Sequence, residues 1–232
     1  MSLVEEKKPK KVKKKKKKCN FVYDFVKVTG VLPTLIWFRP KTVRVNQNVP
    51  KRFKKGVLIA PNHGSFLDPV RVHCVFWYRR LHCLATKNLF DTKLKNWFFN
   101  QMNCIMIDKD NFHMSSFRGV CERLKEEKAV VVFPEGTVNR DDESLKTYKS
   151  GVILMAHISH KPVVPVYFAP VKHWYSRRIS IVGEPIDVNA LCGAVPTMEE
   201  IEKASNYIRE KELELMQYYH DRFDKKKKNK ES

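Results

Sequence analysis

Six cysteines (Cys19, Cys74, Cys83, Cys104, Cys121 and Cys192) are scattered along this 232-residue chain, and no two form a Cys-x-x-Cys pair. That absence argues against a disulfide framework and against a zinc ribbon, and a reducing compartment is the simplest expectation. His73-Cys74 and His82-Cys83 have the right side chains for a metal but no zinc-site spacing, so helix packing is expected of them. There is no G-x-S-x-G elbow, and Ser65 lies too close to His63 in the chain to serve as a separate nucleophile, which disfavours a Ser-His-Asp hydrolase.

Uninterrupted apolar runs are missing as well. The best stretch, FVYDFVKVTGVLPTLIWF at 21–38, carries Asp24, Lys27, Gly30 and Pro33. Charges at a bilayer centre are expensive, and no small-residue cleavage site follows, so neither a transmembrane span nor a secretory signal is expected. An interfacial helix fits better, with its Phe, Val, Leu and Trp37 side chains in the apolar layer and Arg39, Lys41 and Arg44 at the headgroups. A helix packed on the protein's own core is the alternative.

Acidic residues are few: 25 Asp and Glu stand against 45 Lys and Arg, a formal net charge of +20. Residues 1–18 hold ten lysines and two glutamates, and residues 225–232 hold five lysines and one glutamate. Both tails are expected to be disordered, since like charges repel and little is there to bury. The lysine runs lack the interleaved aromatics or arginines that would stack on or fork onto bases, so nucleic acid ranks below an anionic lipid surface as a partner. A merely solubilising role also remains open.

Over the whole chain 43% of residues are hydrophobic, which suffices for one domain between the tails. GVLIAPN (56–62), NCIMIDKD (103–110), AVVVFPEGT (129–137), KPVVPVYF (161–168) and RISIVGEPI (178–186) read as strands. Residues 69–84, 112–127 and 149–159 read as helices. Thr197-Met198-Glu199-Glu200 is a capping box that opens a long amphipathic helix. Strands alternating with helices imply an α/β fold, a mixed sheet flanked by helices.

Two stretches carry candidate chemistry. In NHGSFLDP (62–69), Pro61 should end the strand, and Asp68-Pro69 should open a helix with Asp68 as N-cap. Across so short a loop the Asp68 carboxylate can fold back onto the His63 imidazole. The plainer alternative is a cap and a turn. In FPEGT (133–137), Glu135, Gly136 and Thr137 offer a carboxylate, a close backbone approach and a hydroxyl. Alone, this too is an ordinary acidic turn.

Taken in order, NHGSFLD, ATKNLF, CIMIDKD, FPEGT, YKSGV, KPVVPV and GEPIDV resemble the glycerolipid acyltransferases over roughly residues 30–190. The resemblance implies transfer of a fatty acyl group from coenzyme A or acyl carrier protein to lysophosphatidic acid, giving phosphatidic acid. Glycerol 3-phosphate or another lysophospholipid is the alternative acceptor, and a non-enzymatic membrane-binding protein is the reading from another class. No cofactor is implied beyond the thioester co-substrate, and no metal.

His63 would be the general base and Asp68 its orienting partner, with Asn62, Lys87, Lys109, Glu135, Gly136 and Thr137 around the substrates. The family usually has Arg where this chain has Lys109, and Arg again where it has Val138. Arg140, two residues on, is a further candidate by proximity. The implied organisation is a tail (1–20), a membrane-interface helical segment (21–50), an acyltransferase domain (51–222) and a second tail (223–232). The implied location is the cytoplasmic face of the cell membrane, peripheral or monotopic. VFWYRRLHCL (75–84) and KNWFFN (95–100) mix aromatics with cations in a way that suits such an interface.

Overall fold

A computed structural model describes residues 20–108, 114–139, 145–171, 173 and 176–224. The lysine runs, Lys109 and Arg140 lie outside these residues.

The strands are β1 (Lys41–Arg44), β2 (Val57–Pro61), β3 (Leu81–Thr86), β4 (Ile105–Ile107), β5 (Ala129–Val131), β6 (Val163–Phe168) and β7 (Ile179–Val182). The helices are α1 (Phe21–Phe38), α2 (Asp68–Val75), α3 (Lys93–Gln101), α4 (Met114–Lys125), α5 (Gly151–Ser159) and α6 (Met198–Tyr219). All seven strands join one sheet in the order β1-β7-β6-β2-β5-β3-β4. Five of them, from β6 to β4, run parallel, whereas β7 is antiparallel to β6. The fold is thus the expected mixed α/β sheet with flanking helices.

β2 shows why the sheet is buried on both faces. Every residue from Val57 to Pro61 is buried, and alternate side chains go to opposite sides. Val57 and Ile59 join a core with Val72, Val75 and Phe76 of α2. Leu58 and Ala60 join a second core, with Leu124 of α4, Ile153 of α5 and Ile208 of α6. Full burial of Leu58 or Ile59 contributes about 1.5–3 kcal/mol each. The capping box at Thr197 and Glu200 forms as expected and starts α6.

Four expectations need correction. The helix read over 69–84 stops at Val75, where the Phe76 amide closes on Val72, and residues 81–86 turn into β3. His82 and Cys83 therefore sit on a strand, where β5 needs a partner, and not on a helix. The segment read as helical over 21–50 is helix only to Phe38: Lys41 and Arg44 lie on β1, paired with β7, and the Arg44 guanidinium donates to the carbonyls of Pro50 and Lys51. Phe223, assigned above to the tail, stacks on Tyr219 in the turn that follows α6.

α1 is long and apolar enough to cross a membrane by length and composition. One side of it docks on the domain: the Leu81 amide donates to Tyr23 Oη, Lys27 Nζ to the Arg79 carbonyl, and Asp24 pairs with Arg80. The other side leaves Phe21, Phe25, Ile36 and Trp37 exposed, with Ile36 at 78% and Trp37 at 61%.

Candidate active site

The parallel strands bring their carboxyl ends to one edge, the place where open α/β sheets hold ligands. β2 ends at Pro61, and the loop NHGSFLD leaves it for α2. At this loop His63 Nδ1 lies 3.2 Å from Asp68 Oδ2. A carboxylate oxygen only accepts, so in the neutral ring Nδ1 carries the hydrogen and Nε2 keeps its lone pair. The ring stacks on Phe133 with centroids 4.2 Å apart, and 17% of the His63 side chain remains exposed, against none of Asp68.

Asp68 does not cap α2 as expected. It is the first residue of the helix, and its Oδ2 accepts the Ser65 amide at 2.7 Å. The carboxylate thus closes the loop on itself and holds the imidazole together with the turn. Its Oδ1 faces Arg71 at 3.3 Å, a contact the linear reading passed over. Three-residue spacing on a helix is the signal that would have found it.

The Asn62 side-chain amide is engaged by backbone, although the residue also lines a cavity beside the loop. Its amide oxygen accepts from the Phe168 N–H at 2.7 Å and its nitrogen donates to the Phe168 carbonyl at 3.2 Å, which clamps the ends of β2 and β6 together. Glu135 is likewise buried and engaged by backbone, while it too lines that cavity. Its two oxygens accept the His63 amide and the Lys146 amide, each at 3.3 Å. The two motifs are therefore joined through one side chain. Burial pushes the Glu135 carboxyl up from its usual range, and these amides pull it partly back. The Asn139 amide adds a second tie, donating to the His63 carbonyl at 2.6 Å.

Gly136 adopts φ +69°, a conformation that suits glycine, and a β-carbon there would lie 2.8 Å from Cε of Lys149. Thr137 is exposed, with its hydroxyl accepting from Lys146 Nζ at 3.3 Å. Lys146 and Lys149 were not singled out in the sequence, although both lie at or beside YKSGV. Lys87 opens the turn after β3, its ammonium 3.4 Å from Asp108. His63, Phe133 and Lys87 thus follow three strands, β2, β5 and β3, that are neighbours in the sheet.

Beside the loop, on the β6 side, lies a cavity of about 260 Å³ whose wall includes Asn62, Gly64, Ser65, Arg71, Phe168 and Arg178. Among the described residues no group of three or more His, Cys, Asp or Glu could hold a metal ion. What the arrangement offers is one imidazole with a free nitrogen, oriented from behind.

A family profile described as Acyltransferase matches residues 41–169, more than half of the chain. The 1-acyl-sn-glycerol-3-phosphate acyltransferase of Bacillus subtilis is 26% identical over 174 residues, covering 73% of this chain and 84% of that protein. The protein of the same name from Streptococcus pneumoniae is 25% identical over 168 residues, covering 69% of this chain and 61% of that protein. In fold, the chain is similar to the crystal structure of the 1-acyl-sn-glycerophosphate acyltransferase PlsC from Thermotoga maritima. The TM-score is 0.59 at 20% identity, over 85% of this chain and 80% of that one. Given the extent of the profile match, this chain belongs to the glycerolipid acyltransferase family.

Proposed function

We propose that the protein transfers a fatty acyl group from a thioester donor to the free hydroxyl of lysophosphatidic acid, releasing phosphatidic acid and a thiol. The observation that carries this reading is the His63–Asp68 contact with Nε2 left open. An alcohol is a weak nucleophile until a base takes its proton, whereas a thioester is already activated, so a positioned imidazole suffices. His63 Nε2 accepts the hydroxyl proton as the oxygen bonds to the thioester carbon. The carbon–sulfur bond then breaks, and the proton passes from the imidazolium to the departing thiolate. Asp68 holds the tautomer and balances the imidazolium charge. General base catalysis contributes on the order of 10²–10⁴-fold, and holding both substrates in place contributes the rest.

Coenzyme A and acyl carrier protein are both acidic, and the basic surface suits either donor. For the acceptor phosphate, Lys87 is the described cation from the family pattern, with Lys109 and Arg140 as further candidates. Lys146 and Lys149 stand at the Gly136–Thr137 turn, beside the position where the family usually has Arg and this chain has Val138. That departure favours a second reading with the same chemistry on glycerol 3-phosphate or another lysophospholipid. The exposed apolar side of α1 supports attachment to one leaflet, with the domain on the cytoplasmic face.

The test is thioester consumption with the three acceptors side by side. Turnover that requires lysophosphatidic acid supports the first reading, and turnover only with another acceptor replaces it by the second.

A further inference from the structure

Asp68 is held from two sides, and only one of them belongs to the catalytic loop. Ser65 and His63 share Oδ2, while Oδ1 faces the guanidinium of Arg71. We propose that Arg71 is a positioning residue of the transfer reaction, fixing the Asp68 carboxylate toward His63 and sharing its charge. This proposal rests on His63 being the general base.

Arg71 is an unusual residue to find here. It is buried, and a buried cation is costly unless paired and hydrogen-bonded. Its compensation comes from three elements. Besides Asp68 Oδ1, its Nη2 donates to the carbonyls of Ala169 at 3.1 Å and Ile179 at 2.9 Å. Its guanidinium carbon lies 4.6 Å from the Phe168 ring centroid. Arg71 therefore ties the first turn of α2 to the end of β6 and the start of β7. Asp68 inherits that rigidity, since one of its oxygens is held against a point outside its own loop.

The charge has its own consequence. Asp68 acts on His63 as an anion, and Arg71 offsets part of that anion from the far side. Burial pushes the Arg71 guanidinium down, with Asp68 the main influence holding it charged. The other ionisable groups in the surroundings are Cys74 on α2, Glu135 after β5, Lys146 before α5, Tyr167 on β6 and Arg178 before β7. None of these takes Oδ1 of Asp68 among the hydrogen bonds of the described residues. Losing the Arg71 charge leaves Asp68 a stronger stabiliser of the protonated imidazole, so His63 becomes harder to deprotonate.

The experiment compares wild type with Arg71→Gln, Arg71→Lys, Asp68→Asn, Asp68→Asn/Arg71→Gln and His63→Ala. Steady-state thioester assays in liposomes across pH provide the readout, with thermal unfolding alongside. Removing the partner that orients a functional group costs roughly 10–100-fold, and that loss of kcat at unchanged KM is expected for Arg71→Gln. The acidic limb of its kcat/KM profile should move to higher pH. Arg71→Lys should keep the limb in place and recover part of kcat. In the Asp68→Asn background, Arg71→Gln should cost no further kcat, because the residue acts through Asp68.

Multiplying losses in the double variant would overturn the proposal. So would a raised KM at constant kcat, which would make Arg71 a ligand contact in the cavity. An unmoved limb with equal losses for Gln and Lys would make it a packing residue. If Arg71→Gln fails to fold, Arg71→Lys and the double variant, which removes both charges together, still decide. His63→Ala separates the two levels: activity retained there defeats the general-base reading itself, whereas activity lost there and unaffected by Arg71 defeats only this proposal.

Discussion

His63 Nδ1 and Asp68 Oδ2 stand 3.2 Å apart across a loop whose two ends are a strand terminus and a helix start. The carboxylate dictates which ring nitrogen carries the hydrogen. Asp68→Asn keeps the shape and reverses that choice, because the amide nitrogen can donate to Nδ1. A drop in kcat of roughly 10⁴-fold with little change in KM is expected, the size seen where a catalytic histidine is left in the wrong tautomer. Steady-state kinetics on the purified variant measure it.

Glu135 links the two motifs by accepting amides from His63 and Lys146. Glu135→Ala removes the acceptor of two part-buried amides, and since a fully buried orphan costs about 1–3 kcal/mol, each should cost less than that. Urea unfolding should show the stability loss, and kcat should fall with it because the His63 backbone loses its support. A variant with full activity and a lowered urea midpoint would separate the strap from the chemistry.

His82 is buried on β3, and desolvation pushes its imidazole down to about 4 from 6.5. The folded state therefore binds its proton more weakly than the unfolded chain does. Stability from this group is complete above pH 6.5 and is lost as pH falls from there toward 4. The full loss is about 3 kcal/mol, since each pH unit between those two values corresponds to about 1.4 kcal/mol. Unfolding midpoints of wild type should fall over that window, and those of His82→Gln should fall less.

The exposed side of α1 predicts a defect that spares the fold. Ile36→Glu/Trp37→Glu places two charges where apolar side chains face outward. Sedimentation with vesicles of mixed neutral and anionic lipid should show the variant released to the supernatant while its unfolding midpoint stays that of wild type. Retention on the vesicles would assign attachment to the lysine tails, each lysine near an anionic surface being worth about 1 kcal/mol.

Much of this molecule can be read along the chain, and the failures have physical causes. β2 and β6 are legible because strands buried on both faces are continuous apolar runs. β3 is not, because LHCLAT follows α2 without a glycine or proline to mark the turn, and its strand state depends on β5 as a neighbour. β1 is only four residues long, and its pairing with β7 is a long-range event. At the site, the spacing of His63 and Asp68 and the order of the motifs point to the pair. The backbone bonds of Asn62 and Glu135 do not show in one dimension, since a polar side chain in a loop reads the same whether it meets substrate or backbone. Arg71 was legible in part: its three-residue spacing from Asp68 shows in the sequence, whereas its partners at the end of β6 and the start of β7 do not.

General-base catalysis by His63 is tested most directly by the activity of His63→Ala. Purified wild type and variant are given a fatty acyl thioester and lysophosphatidic acid in liposomes, and thiol release and phosphatidic acid are followed together. Wild type should form both products in equal amounts, and the variant, folded to the same midpoint, should form neither above background. Phosphatidic acid formed at a comparable rate by the variant would contradict a catalytic role for His63.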